Sequence, residues 1–301
     1  MIFFLFSYNR GPLLKNCVES IEHCAPANST LIIYDDDSND PETREILADI
    51  AKRHEVRSMG DKKSKDQHGA LYTNMQRAID SVSDDELIFF IQDDAQLIRK
   101  ITENDLEFIN NYFAQNPRAG FLAPVFQKRI TKQRTLDRFI YHPELGVYIC
   151  HHRSRIEVAG VYYSDISITT RQRLREVDWR FIPGEYQNEL QAKDKFHEMG
   201  YLYAPVAMQL PNAPAYRNKK KTLAFQIAEK LNQSGLYKFR YMTDADVEKL
   251  KNRPASQVPI AEDYLETDPV LRKPWIFHPL KRSRVLRKLD KLENFLRKAF
   301  K

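Results

Sequence analysis

The sequence predicts an α/β fold: a mixed, mainly parallel sheet flanked by helices, with a helical extension at the C-terminal end. Three observations carry this. Apolar runs of strand length alternate with segments of helical spacing through the first half of the chain. Runs such as "IFFLF" and "LIFFI" are apolar at successive positions, as strands covered on both faces require. The order strand, helix, strand, repeated three times, describes parallel neighbours joined by right-handed crossovers.

The elements follow in order. "IFFLFSY" is the first strand, and "GPLLKNCVESIEHC" places Leu13, Leu14, Cys17, Val18 and Ile21 on one helical face. "STLIIYDDDS" is the second strand; "DPETREILADIAKRHE" is a helix with Asp40 as N-cap and Pro41 in its first turn. "VRSMG" is a short strand, and the helix "GALYTNMQRAIDSVS" delivers the chain to "ELIFFIQDDAQL". The second half is less regular. "GFLAPVF" reads as a strand, and residues 139–170 alternate and are rich in Tyr, Val and Ile, as antiparallel strands are. "EYQNELQAKDKFHEMGY" reads as a helix closed by Gly200, and "LYAPVAMQL" as the last strand. Beyond Asn212 the chain turns polar and helical, with 254–280 as a linker. The expected organisation is a domain over 1–212, a helical extension and linker over 213–280, and a basic amphipathic helix over 281–301.

Composition bounds the function. With 301 residues, 42% of them hydrophobic, the chain can bury a sizeable core. No apolar stretch approaches the roughly 20 residues that span a bilayer, and "MIFFLFSYNR" lacks the features of a secretory leader. Cys17, Cys24 and Cys150 are an odd set without C-x-x-C spacing, which fits a reducing, cytoplasmic setting. The net charge of +6 is not spread evenly. Residues 281–301 hold nine Lys or Arg and two acids, a surplus of seven, so the first 280 residues sum to −1. Such a chain meets an anionic surface with its tail; nucleic acid is not the expected partner.

Ligands of parallel sheets sit beyond the carboxyl ends of the strands. Here the first strand ends in Ser7-Tyr8-Asn9, the second in Asp35-Asp36-Asp37, and the run 87–91 in Gln92-Asp93-Asp94. Three strand ends thus bring carboxylates to one edge. Gathered like charges cost stability, so a metal ion or cationic ligand is the natural compensator. The nine glycines form no G-x-G pair, which removes the dinucleotide fingerprint and the Walker loop. H-E-x-x-H, G-x-S-x-G and C-x-x-C are absent as well.

The pieces "FSYNRGPLLKNCVESI", "LIIYDDDSND", "HGALYTNMQRAI" and "LIFFIQDDAQ", in this order, resemble the family-two glycosyltransferases of the Rossmann-like GT-A fold. The likeness continues through "ITTRQRLREVDWRFIPGEYQNEL" to "GY" and covers about residues 1–210. It implies that Ser7, Tyr8, Asn9 and Arg10, with Gly69, Asn74 and Gln92, belong to the nucleotide site. Tyr8 would stack on the base, Asp36 would accept from its imide N–H, and Asp35 and Asp37 would lie near the ribose. Asp94 matches the last acid of the family's D-x-D motif, a ligand for Mn²⁺ or Mg²⁺, and Asp93 would contact ribose or sugar. Two departures stand out: Gln92 replaces the first acid of D-x-D, and Asp37 replaces the glycine of D-D-G-S.

The resemblance implies transfer of a sugar from a nucleotide-diphosphate donor, with UDP-sugar the expected one, to a hydroxyl of a surface glycan or lipid-linked acceptor. A base on the acceptor side means single displacement with inversion. Glu185 heads the helix that would carry it, with Asp178 and Glu189 as rivals. The alternative is a non-catalytic, degenerate sugar-nucleotide or glycan-binding protein at the membrane surface. The tail "VLRKLDKLENFLRKAF" is amphipathic and basic, the pattern of a helix peripheral to the inner face of the cell membrane; a homo-oligomer contact is the other use of that face.

Overall fold

The computed structural model describes residues 1–58, 71–130, 133–215 and 221–299. The first half runs β1 (Ile2–Ser7), α1 (Gly11–Cys24), β2 (Thr30–Asp35), α2 (Pro41–Ile50), β3 (Glu55–Ser58), α3 (Leu71–Asp80), β4 (Leu87–Gln92), β5 (Ala95–Leu97) and α4 (Glu103–Gln115). Then come β6 (Leu122–Ala123), α5 (Gln133–Leu136), β7 (Phe139–His142), β8 (Val147–Cys150), β9 (Ser167–Thr170), α6 (Arg171–Glu176), α7 (Glu185–Lys195), β10 (Gly200–Leu202) and β11 (Ala207–Gln209). The rest is α8 (Leu223–Leu231), β12 (Lys238–Phe239), α9 (Asp244–Lys251), α10 (Ala261–Tyr264), β13 (Thr267–Asp268), a 3₁₀ turn at Pro279–Arg282 and α11 (Arg284–Ala299).

The main sheet has nine strands in the order β3-β2-β1-β4-β9-β6-β10-β8-β7. Its first four are parallel, and β9 enters antiparallel between β4 and β6. The two-residue period of a strand divides the aromatic runs between two cores. Phe3, Leu5, Phe89 and Ile91 pack with Leu14, Cys17, Val18 and Ile21 of α1. Phe4, Phe6, Ile88 and Phe90 pack on the other face with Tyr72, Met75 and Ala78 of α3. Each fully buried Phe contributes about 1.5–3 kcal/mol of transfer free energy. The predicted mixed, mainly parallel α/β fold is therefore present, with the Asp40 cap: its carboxylate accepts the Thr43 N–H at 2.9 Å.

Three expectations need correction. Gly200 does not close α7, which stops at Lys195 where Phe196 turns extended and buries its ring against Phe121 and Trp179. Gly200 opens β10 instead, and a Cβ there would stand 2.7 Å from Tyr112 Oη: a close approach, not a helix stop, requires the glycine. "LYAPVAMQL" is two strands, bent at Ala204-Pro205, where buried Arg99 bonds both carbonyls (2.6 and 3.1 Å) while holding Asp105. The stretch 254–280 is packed rather than a linker. Trp275, Leu265 and Ala261 share one core with Leu13, Ile98, Phe126 and Met208, and β13 pairs with β12.

Candidate active site

Register makes three strand ends level. Ser7 pairs with Asp35 across β1 and β2, and Phe6 pairs with Gln92 across β1 and β4. Beyond β1 the chain turns through Asn9 at φ 49°, a left-handed conformation that Asn tolerates. Its side chain is spent on the loop: Oδ1 accepts the N–H groups of Asn39 and Asp40 (2.8 and 2.9 Å), and Nδ2 donates to Asn39. Asp35 turns inward, accepting the Ser38 N–H at 2.7 Å and its hydroxyl at 2.6 Å; burial raises its pKa and those bonds oppose the rise. Asp37 takes the glycine's left-handed place at φ 59° and accepts the Ser58 hydroxyl at 2.7 Å. Asn9 and Asp35 thus shape the loops with the groups expected to meet the nucleotide. Tyr8 and Asp36 stand half-buried at this edge, and Ser7 Oγ is buried with no partner among the described residues.

The charge at the end of β4 is answered from within the chain. Arg10, at the head of α1, donates through Nε and Nη2 to both oxygens of Asp93 and through Nη1 to Asp94 Oδ2 at 3.1 Å. Asp93 is fully buried and also accepts the Tyr8 N–H, so a contact with ribose or sugar is not available to it in this arrangement. Burial pushes Asp93 up to about 6, against the pull of Arg10; the forked contact keeps the pair ionised at neutral pH. For Arg10 burial works against the charge, and the two carboxylates outweigh it.

Across the sheet from Arg10 lies an acid group that the motif pattern does not announce. The antiparallel pairing of Phe90 with Ser167 puts Asp165 opposite Gln92, and Gln92 Nε2 donates to Asp165 Oδ2 at 3.2 Å. Tyr163 and Tyr72 donate to the other oxygen at 2.8 and 3.2 Å. Burial, then the field of Glu185, lifts Asp165 to about 6 against these bonds. The amide at position 92 is now explicable: an acid there would face Asp165 carboxylate to carboxylate. Asn74 is buried in α3, accepting from Arg77. Gly69 lies outside the described residues.

Gly184, at φ 100°, makes the turn into α7, and buried Asn188 pins it by bonding the backbone of Ile182 and Gly184. That presents Glu185 exposed on the first turn, in the field of Asp165, Glu189 and Tyr72. Glu189 is buried and accepts the Gly160 N–H at 2.8 Å; burial lifts it to about 7. Asp178 is elsewhere: 88% exposed, it pairs with Arg180, which also meets Asp80 at the far end of α3, by the amino-terminal edge of β4. It drops out as a rival base.

Lys128 is the second residue missed by sequence reading. A parallel bridge of Val125 to Ala207 runs residues 125–128 beside β11, so Lys128 Nζ donates to Gln209 at 2.5 Å and covers the Phe277 ring at 4.4 Å. Gln209 is paired with Ala95, next to Asp94. Burial, with Lys281 nearby, lowers Lys128 to about 8 despite the fields of Asp94 and Glu185. A lone Lys in an irregular stretch gives no signal in sequence.

Among the described residues no group of three or more His, Cys, Asp or Glu is placed to hold a metal ion unaided. Asp94 fits one shared with a ligand. Its Oδ1 is buried and meets no partner among the described residues, and a hard cation held with a diphosphate needs only one or two carboxylates from the protein.

No curated relative matches the chain. Solved structures with a similar fold include S. aureus TarS (TM-score 0.50, 13% identity, over 83% of this chain and 41% of that one), so the chain spans less than half of that protein. Others are the mannosyltransferase PcManGT from Pyrobaculum calidifontis with GDP-Man and Mn2+ (0.46, 12%, 77% and 60%) and GalNAc-T7 with UDP, GalNAc and Mn2+ (0.48, 9%, 84% and 51%). The TarS likeness shows the GT-A fold. The sequence model of glycosyl transferase family 2 matches residues 3–201, which contain every strand end and acid described above, and the chain belongs to that family.

Proposed function

We propose that the protein is an inverting transferase that moves a sugar from a nucleotide-diphosphate donor, uridine-based, to a hydroxyl of a surface glycan or lipid-linked acceptor, in the cytoplasm at the inner face of the cell membrane. One observation carries the reading. Asp94, with an oxygen that meets no partner among the described residues, and the exposed Glu185 both act on one half-buried cation, Lys128, which bonds Gln209 beside the Asp94 strand end.

Tyr8 and Asp36 would receive the base, on the edge where β1 and β2 end. Asp94 would hold Mn²⁺ or Mg²⁺ against the diphosphate, and a bound ion neutralises the charge on that leaving group. Lys128, lowered to about 8 by burial, would add positive charge on the same side. Glu185 takes the proton of the acceptor hydroxyl as its oxygen attacks the anomeric carbon. The bond from that carbon to the diphosphate oxygen breaks, and its electron pair leaves with the diphosphate. A single displacement inverts the anomeric centre. The rival reading, a binding protein that has lost its chemistry, draws on Gln92 and on Tyr186, which stands where the family more often has a second acid.

Asp94→Asn tests the donor side. UDP binding by the wild type should tighten with Mn²⁺, and the variant should lose at least about tenfold in affinity and most of that response. A variant that kept both would remove Asp94 from the metal. Metal-dependent hydrolysis of UDP-sugars by the wild type separates the enzyme from the binder.

A further inference from the structure

The last helix is not a free tail. The inner face of α11 turns its only two acids toward α8: Asp290 accepts the Thr222 hydroxyl at 2.5 Å and Glu293 accepts the Leu223 N–H at 2.8 Å. Both sit at the positive end of α8, where acids are favoured. Arg297 adds a bond to the Lys221 carbonyl, and Leu286 packs on Phe225 and Ala228. At the other end of α8, Asn232 donates to the Pro279 carbonyl at 2.8 Å, so the two helices run antiparallel, side by side.

What they leave uncovered is apolar. On α11, Val285, Leu289, Leu292 and Leu296 step by four, three and four and are exposed, with Phe295 at 68%. On α8, Leu223, Ile227 and Leu231 step by four and are exposed too, Leu231 at 71%. Large side chains scattered singly on a surface need no explanation, but two stripes on neighbouring helices form a patch of the kind that marks an interface. Around it, Lys281, Arg282, Arg284, Arg287, Lys288 and Lys291 are exposed, and no acid of α11 remains outward to balance them.

We propose that α8 and α11 together form a rigid platform that seats the protein on an anionic lipid bilayer, with the apolar stripes entering the headgroup boundary and the basic residues meeting lipid phosphates. A second copy of the chain would cover the apolar stripes only by bringing two sets of exposed cations together, which costs affinity; an anionic bilayer satisfies both features. Lys281, just before α11, acts on Lys128 of the candidate active site. The inference goes beyond the proposed transfer, since vesicle binding needs neither donor nor acceptor.

The test is flotation of the full chain with vesicles of phosphatidylcholine alone and with roughly one third phosphatidylglycerol. The wild type should bind the anionic vesicles at least about tenfold better, and added salt should weaken binding. Leu289→Glu with Leu292→Glu should abolish it. Ile227→Glu with Leu231→Glu should weaken it severalfold, which a lone helical tail would not show. Lys288→Glu with Lys291→Glu, which alters no packing, should remove the preference for anionic lipid. Equal binding to both vesicles, no binding, or wild-type behaviour of the α8 variant overturns the proposal. So does a wild-type dimer in sedimentation that the apolar variants dissociate, which would make the face a contact between copies.

Discussion

Two acid groups stand at the same edge of the sheet, and the chain treats them oppositely. Asp93 and Asp94 share Arg10, a permanent cation forked onto both. Among the described residues Asp165 and Glu189 have no such partner: half-buried Asp165 meets two tyrosine hydroxyls and an amide, and buried Glu189 a backbone N–H. At the first group Arg10 fixes the geometry, and its charge opposes the rise that burial imposes on Asp93. At the second, burial lifts two carboxyls to about 6 and about 7, opposed by hydrogen bonds from neutral groups. In both groups burial favours the neutral acid, and the first group has a cation to set against it.

The sharpest way to break this contrast is to remove the pairing. Arg10→Leu should cost about 3–5 kcal/mol in urea unfolding at pH 7.5, the penalty for stranding a buried carboxylate. The loss should shrink as pH falls toward about 6, because Asp93 without Arg10 takes up its proton at a higher pH than in the wild type. A loss under about 1 kcal/mol would mean that Asp93 does not depend on its partner.

Next in size is Glu185→Gln. Turnover should fall by a factor on the order of 10² or more with donor affinity nearly unchanged, as when a general base is lost. Unchanged turnover would move the base to Glu189, since Asp178 is on the wrong edge.

The smallest effect concerns pH. A carboxyl whose pKa is raised in the folded state binds its proton more tightly there than when unfolded. Stability therefore falls as pH rises from about 4.5, the unfolded value, through about 7 for Glu189. Glu189→Gln, which can still accept from Gly160, should be more stable than the wild type at pH 8 by on the order of 1–2 kcal/mol and equal to it near pH 4. Melting temperatures across that range check the sign. A less stable variant at pH 8 would show that the carboxylate, not the burial, dominates at this position.

Much of this was legible in the residues. The alternation of "IFFLFSY", "LIIYDDDS" and "LIFFIQDDAQ" with helical segments fixes the parallel half of the sheet, because both periods are local. The Asp40 cap and the amphipathic last helix were readable for the same reason. Gly200 was misread because a glycine after a helix and a glycine under a tyrosine look alike until Tyr112 is known to sit there.

The sequence by itself determined which groups end the strands, since a buried apolar run must stop where polar residues begin. Only the tertiary structure decided what those groups do. Arg10 and Asp93 are 83 positions apart, and Gln92 and Asp165 are 73 apart. Whether a carboxylate meets a guanidinium, an amide or another carboxylate depends on strand order and register, which no local pattern encodes. The same holds for the last helix, whose two acids read as ordinary surface charge until α8 is placed beside them. Charge interacts over distance in space, and the fold alone converts separation along the chain into that distance.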